Sequence, residues 1–211
     1  MTELLDIFDL DSNFLYTQER QEFYSEIIAE FQDNGEVTRK VQSVKIFLMN
    51  SQGRVYLQKR SKLKTDNAGK YDKTVGGHVS SGDSFTLTVV RECAEELGFP
   101  AAVLSKEDFD KAIHVTHLDV VGIFQKLEYL SDFMSERILS DSSKIIIPQM
   151  VSMYFGYYDG SIKFTDGEAS GVETFSLEEL KEEMLNDPEK FTNDIKVMVE
   201  RYGEFLVPIG K

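Results

Sequence analysis

Three glutamates and an arginine fall within one short stretch, Arg91-Glu92-Cys93-Ala94-Glu95-Glu96. In a helix, Glu92, Glu95 and Glu96 stand three and four positions apart and share one face. Like charges at those spacings destabilise a bare helix, so something must offset them. A divalent cation does so, because Mg2+ is a hard ion that takes a few carboxylates together with substrate phosphate oxygens. Breaking a diphosphate needs an activated water, cations against the developing charge, and accurate positioning. On the other side of the helix, Leu87, Val90, Ala94 and Leu97 follow the helical period and are expected to face the core.

The flanking residues supply the elements that position this cluster. Gly76 and Gly77 follow a short strand, where paired glycines permit positive φ and close approach of backbone to a ligand. Ser80 to Ser84 is turn chemistry, with Asp83 or Ser84 placed to cap the next helix. Phe85 to Val90 alternates and is β-branched, the pattern of a strand, but a period of four runs on through Leu97 and favours a helix. Gly98 then suits its C-terminal cap, with Pro100 just beyond. Upstream, Lys59, Arg60, Lys62, Lys64, Lys70 and Lys73 crowd one segment, opposed there by Asp66 and Asp72. Such a run is either a solvated loop or one wall of a phosphate site.

The remaining chain alternates strands and helices. Leu4 to Phe8 and Phe14 to Tyr16 read as a hairpin, followed by a helix from about Gln18 to Phe31 that stops at Asn34-Gly35. Val37 to Met49 and Arg54 to Gln58 form a second hairpin around Ser51-Gln52-Gly53. Leu118 to Phe124 reads as a strand, and SDFMSERILSDSSK as a short helix inside an insertion spanning 130–147. Gln149 to Tyr158 is a strand that turns at Asp159-Gly160 into Ser161 to Phe164, with Glu168 and Glu173 in the next connection. Ser176-Leu177-Glu178-Glu179 is a capping box, and Thr192 caps a last helix lined by Ile195, Met198, Val199 and Tyr202. The class is α/β or α+β.

Gly77, Asp83, Arg91, Glu92, Glu95, Glu96, Gly98 and Phe99 together resemble the Nudix box, G-x5-E-x7-R-E-U-x-E-E-x-G-U, where U is a bulky apolar residue. Asp83 stands where the family has Glu, and Cys93 where it usually has an aliphatic. The resemblance implies an α/β/α sandwich around a mixed β-sheet, covering residues 37–211, with residues 1–36 as an N-terminal extension of hairpin plus helix packed on it. It implies Glu92, Glu95 and Glu96 as the ligands of Mg2+ or Mn2+, and Arg91 as the group that holds one of them. Gly77, Lys59 and Arg60 become candidates for contact with substrate phosphates. The general base would be a box carboxylate or a later glutamate such as Glu168 or Glu173. The activity implied is hydrolysis of a phosphoanhydride in a nucleoside diphosphate linked to another moiety, or in a similar small diphosphate.

Leu57 to Ser61 and Gly76-Gly77-His78 also resemble the subgroup that contains isopentenyl-diphosphate isomerase. Those isomerases carry a catalytic cysteine just before the glycine-histidine pair, where this chain has Gly76, so hydrolysis is favoured. A non-catalytic nucleotide-binding module is the other alternative. The intact Arg91, Glu92, Glu95 and Glu96 argue against it.

Composition narrows the partners. The chain has 211 residues and a formal net charge of −14, which argues against a broad basic surface for nucleic acid. No apolar run is long enough to span a bilayer, and the acidic N-terminus lacks the zones of a signal peptide. One cysteine permits no internal disulfide, so a cytoplasmic location is expected. His114 and His117 sit three apart in a segment read as non-helical, where they would not share a face, and no zinc is expected. The N-terminal segment is a candidate for pairing with a second subunit, which would make a homodimer.

Overall fold

The computed structural model of the protein describes residues 3–162 and 169–210. Strands β1 (Leu4–Asp9) and β2 (Phe14–Glu19) precede helix α1 (Arg20–Asn34), which Gly35 closes in the left-handed region at φ 77°. Then come β3 (Arg39–Met49), β4 (Val55–Arg60), β5 (Tyr71–Asp72) and β6 (Val75–His78). Helix α2 (Phe85–Glu92) runs straight into a π-helical turn, Cys93–Leu97. Strand β7 (Ala101–Leu104), α3 (Lys106–Ala112), β8 (Gly122–Ile138) and β9 (Lys144–Tyr157) follow. The chain continues through β10 (Ala169–Phe175), α4 (Leu177–Asn186) and α5 (Asn193–Tyr202).

Strand β3 organises the sheet. One edge runs parallel to β9, from Val41 against Gln149 to Met49 against Tyr157. The other edge meets three antiparallel partners in turn: β4 at Leu48 and Met49, β6 from Ser43 to Ile46, and β1 from Arg39 to Val41. The mixed sheet therefore runs β10-β4-β3-β9-β8-β7, with the short strands attached along it.

Alternation along β3 sends side chains to two helical layers. Val44, Ile46 and Leu48 pack with Val89, Cys93, Leu97 and Phe99. Phe47 and Met49 face the opposite way, onto Leu180, Ile195, Met198, Val199 and Tyr202. A third cluster seats Phe23 and Ile27 of α1 on Ile7, Val41, Ile145 and Ile147. The α/β sandwich around a mixed sheet is thus the observed architecture. The caps fall as the sequence implies, with Ser176 and Glu179 forming the capping box and Thr192 capping α5. No helix among the described residues is long and apolar enough to cross a membrane.

Several local expectations are corrected. The core face of α2 is not Leu87, Val90, Ala94 and Leu97: Leu87 is 51 % exposed and Ala94 is also exposed. Leu97 is buried as expected, but Val89 and Cys93 share that face with it, with Phe85 partly so. Both sets have a helical period, and they differ only in phase. Residues 130–147 contain no helix, because β8 and β9 form one long hairpin in which Arg137 pairs with Ile145 and Ile138 with Lys144. Cross-strand pairing overrides the helical appearance of SDFMSERIL, with register shifts at Lys126/Glu128 and Leu130/Phe133. Residues 118–121 are outside any strand, β7 and α3 fall where no element was assigned, and β10 falls where a connection was expected. Residues 161 and 162 are not in a strand, and Glu168 lies outside the described residues.

Candidate active site

Ser84 caps α2 by accepting the amide of Leu87 at 3.1 Å, which fixes where the carboxylate face begins. The π-helical turn at Cys93–Leu97 changes the phase between Glu92 and the pair Glu95 and Glu96, a local irregularity that recurs at functional sites. Gly98 ends it in the left-handed region at φ 77°.

Strand β6 lies against Glu92. A Cβ on Gly77 would stand 2.1 Å from Glu92 Oε1, so only glycine leaves room for this carboxylate. Glu92 is 6 % exposed. Burial raises its carboxyl above the usual range, while the Arg91 guanidinium opposes that rise. Arg91 Nη1 lies 3.0 Å from Glu92 Oε1 and 3.3 Å from Glu95 Oε2, and Nη2 donates to the His78 carbonyl at 3.2 Å. One guanidinium thus ties two box carboxylates to the end of β6. Asp83 stays 4.0 Å from Arg91 Nε, and among the described residues that buried nitrogen has no acceptor.

Glu92, Glu95 and Glu96 line one side of a cleft of about 860 Å3. Arg60, Lys64, Lys73 and Arg137 line the same cleft. Arg60, Lys73 and Arg137 belong to an ionic lattice. Asp66 accepts from Arg60 at 2.7 Å and from Arg137 at 2.9 Å. Lys73 stands 3.2 Å from Asp72 and 3.5 Å from Asp194, while Lys45 is paired to Asp194. Thr192 donates to Asp72 at 2.8 Å. Burial alone would raise the Asp72 carboxyl, but Lys73 and Arg60 outweigh it and hold the group well below its ordinary value. Burial pushes Lys45 down to about 8, with Asp194 resisting. Within this lattice Arg60, Lys73, Arg137 and Lys45 face Asp66, Asp72 and Asp194, so the wall keeps a net positive charge.

Of the residues singled out from sequence, Gly77, Arg60, Arg91, Glu92, Glu95 and Glu96 meet at this cleft. Lys59 does not. It donates to the Tyr71 hydroxyl at 3.1 Å and pairs with Glu173 at 3.8 Å, away from the cleft, which also removes Glu173 as a nearby base. Lys70 turns to Glu189. Arg137 and Asp194 were missed because both come from distant segments; alternation of Ser135 and Arg137 along a strand was the one available signal. His78 bonds to the Tyr24 hydroxyl at 2.7 Å, and burial, reinforced by Arg20 and Arg137, keeps it neutral. His114 lies in a turn and His117 just beyond it, and both are exposed.

The donors suit a hard cation. Among the described residues no three His, Cys, Asp or Glu side chains form a ready cage. Glu96 nevertheless lies close enough to the buried Glu92 to act on its carboxyl. Two carboxylates side by side are both ionised at low cost only where a cation offsets their repulsion. Mg2+ binds through one or two carboxylates plus water and phosphate oxygens, which matches this pair better than a closed cage would.

Comparison with known proteins agrees with this geometry. A NUDIX domain model matches residues 39–195. The isopentenyl-diphosphate Delta-isomerase of Serratia proteamaculans is 24 % identical over 91 % of this chain and 87 % of its own length. A Nudix hydrolase of Deinococcus radiodurans is 38 % identical over 66 residues, 31 % of this chain and 39 % of that protein. A crystal structure from the same organism superposes with a TM-score of 0.62 at 21 % identity, covering 94 % of this chain and 98 % of the other, a likeness of fold. With the box, the sheet and the domain match in agreement, the chain belongs to the NUDIX family.

Proposed function

We propose that the protein is a metal-dependent pyrophosphohydrolase that cleaves the phosphoanhydride of a nucleoside diphosphate linked to another moiety, or of a similar small diphosphate. The observation that carries this reading is that the box carboxylates and a cluster of cations line one cleft. Glu92, Glu95 and Glu96 would hold Mg2+ or Mn2+. Such an ion neutralises phosphate charge and lowers the pKa of bound water.

The chain's own groups do the rest. Arg91 keeps Glu92 and Glu95 at fixed positions, and Gly77 leaves space for the first of them. Lys64, Lys73, Arg60 and Arg137 offer positive charge to the phosphate oxygens, most strongly as charge builds on the leaving phosphate. A box carboxylate takes the proton from the attacking water. Water oxygen bonds to phosphorus as the bridging P–O bond breaks, and the bridging oxygen leaves on the second phosphate.

The isomerase-named relatives raise a second reading. Against it, Cys93 is buried in the apolar core, where burial pushes its thiol up and away from thiolate chemistry. A Cβ at position 76 would also meet Lys73 Cε at 2.4 Å and the Val44 carbonyl at 3.0 Å, so a side chain there requires Lys73 to move.

The test is turnover of a panel of nucleoside diphosphate derivatives and small diphosphates with Mg2+ or Mn2+. Product is expected with wild type and not with the Glu95→Gln, Glu96→Gln double variant. Unchanged product formation by that variant would overturn the site.

A further inference from the structure

The N-terminal hairpin and α1 grip the connection that carries the chain from β6 into α2. Strand β6 ends its pairing with β3 at His78, opposite Ser43, and Val79 then donates to the Gln42 carbonyl at 3.0 Å. From there β1 takes over as partner. Leu5 bridges Ser80, and Ser81 donates to the Leu4 carbonyl at 2.8 Å, just before Ser84 caps α2.

Helix α1 holds the same connection through a side chain. Tyr24 Oη lies 2.7 Å from His78 Nε2, with the two rings edge to face and their centres 5.4 Å apart. Arg137 Nη2 donates to the same hydroxyl at 3.4 Å, and its guanidinium lies 5.2 Å from the Tyr24 ring centre, so the ring is held from a second side. Burial keeps the imidazole neutral, which leaves one ring nitrogen to accept the hydroxyl proton. The carbonyl of this same His78 accepts Arg91 Nη2 at 3.2 Å, while Arg91 Nη1 reaches Glu92 and Glu95. An unbroken series of contacts therefore runs from Tyr24 through His78 and Arg91 to two carboxylates of the cleft. Because His78 is buried, removing the hydroxyl would leave its acceptor nitrogen unpaired and favour a turn of the imidazole towards another donor.

We propose that Tyr24 is a positioning residue of the box: through His78 it fixes the strand end that anchors Arg91, and Arg91 in turn holds Glu92 and Glu95 in place for a divalent cation. The N-terminal segment is then a working part of the site rather than an appendage. The proposal rests on the reading of the box carboxylates as metal ligands.

The experiment measures Mn2+ affinity, by electron paramagnetic resonance of the free ion, in wild type, Tyr24→Phe, Arg91→Lys and their double variant. Tyr24→Phe deletes one oxygen and keeps the ring. Arg91→Lys keeps the charge and loses the fork that spans Glu92, Glu95 and His78. Tyr16→Phe is the control, since it removes another hydroxyl of the N-terminal hairpin, one bonded to Arg39 at 2.8 Å. Tyr24→Phe is expected to weaken Mn2+ about tenfold, the scale for losing a group that orients a metal ligand, and Tyr16→Phe to leave it unchanged. In the Arg91→Lys background the effect of Tyr24→Phe is expected to vanish, which a general loss of stability would not produce. Wild-type affinity in Tyr24→Phe, the same weakening in both backgrounds, or an equal loss in Tyr16→Phe would overturn the proposal. If wild type binds no Mn2+, the metal reading of the box fails on its own, and the metal-free protein decides the rest. In nitrogen-15-labelled protein the Arg91 Nε–H signal is identified by its absence in Arg91→Lys. Its displacement in Tyr24→Phe but not in Tyr16→Phe supports the linkage, and an unmoved signal or an equal displacement in both rejects it.

Discussion

Gly77 and Glu92 are fitted to each other: a Cβ at position 77 would fall 2.1 Å from Glu92 Oε1 and 2.3 Å from its Cδ. Two positions fifteen residues apart in sequence therefore constrain one another through space. Gly77→Ala is expected to displace the carboxylate and lower kcat by about a hundredfold, the scale that accompanies a misplacement near 1 Å. Steady-state kinetics with an unchanged melting temperature would separate this from misfolding. Wild-type kcat in the variant would show that the close approach is dispensable.

Asp83 falls short of Arg91. Its Oδ2 is 4.0 Å from a buried Nε that has no acceptor among the described residues. Asp83→Glu adds the methylene that closes this gap. It is expected to stabilise the protein by about 0.5–1.5 kcal/mol in urea unfolding. No gain would mean that the longer side chain turns elsewhere.

The ionic lattice predicts an acid-sensitive fold. Asp72 titrates lower in the folded chain than its ordinary 3.8 because Lys73 and Arg60 outweigh burial. Its contribution is complete above the unfolded value and is lost as pH falls towards the folded one. Asp72→Asn is expected to cost about 3–5 kcal/mol at neutral pH, because it strips a partner from buried cations. The penalty should shrink as the solution is acidified below pH 3.8. Urea melts at several pH values would read both effects, and a pH-independent penalty would contradict the pairing.

Phe99, the last residue of the motif, stacks on Tyr158 with ring centres 3.7 Å apart and planes 17° apart. Gly122 passes so close that a Cβ there would meet Phe99 Cε2 at 2.5 Å. Phe99→Ala is expected to cost about 3–5 kcal/mol. A loss below about 1 kcal/mol would mean that the surrounding core collapses into the space.

The motif was legible because its offsets are local. Ser84, Arg91, the glutamates and Gly98 act through one helix and its caps, so spacing along the chain is nearly spacing in space. The helix phase was less legible, because the sets beginning at Phe85 and at Leu87 both satisfy the helical period; only packing against Val44, Ile46 and Leu48 decides between them. The cationic wall was half visible. Arg60, Lys64 and Lys73 stood out as a cluster, whereas Lys45, Arg137 and Asp194 join them only when β3, β8 and α5 converge. Lys59 shows the converse. It neighbours Arg60 in sequence, but alternation along β4 points it at Tyr71 and Glu173 rather than into the cleft.

Hydrolysis and isomerisation leave different isotopic records, and that difference bears most directly on the central claim. The protein would be incubated with Mg2+ and a diphosphate substrate in oxygen-18-labelled water, and the products analysed by mass spectrometry. One heavy oxygen is expected on a released phosphate product, formed by wild type and lost in the Glu95→Gln, Glu96→Gln double variant. Intact diphosphate carrying solvent deuterium on carbon in a parallel D2O reaction, with no phosphate released, would contradict it.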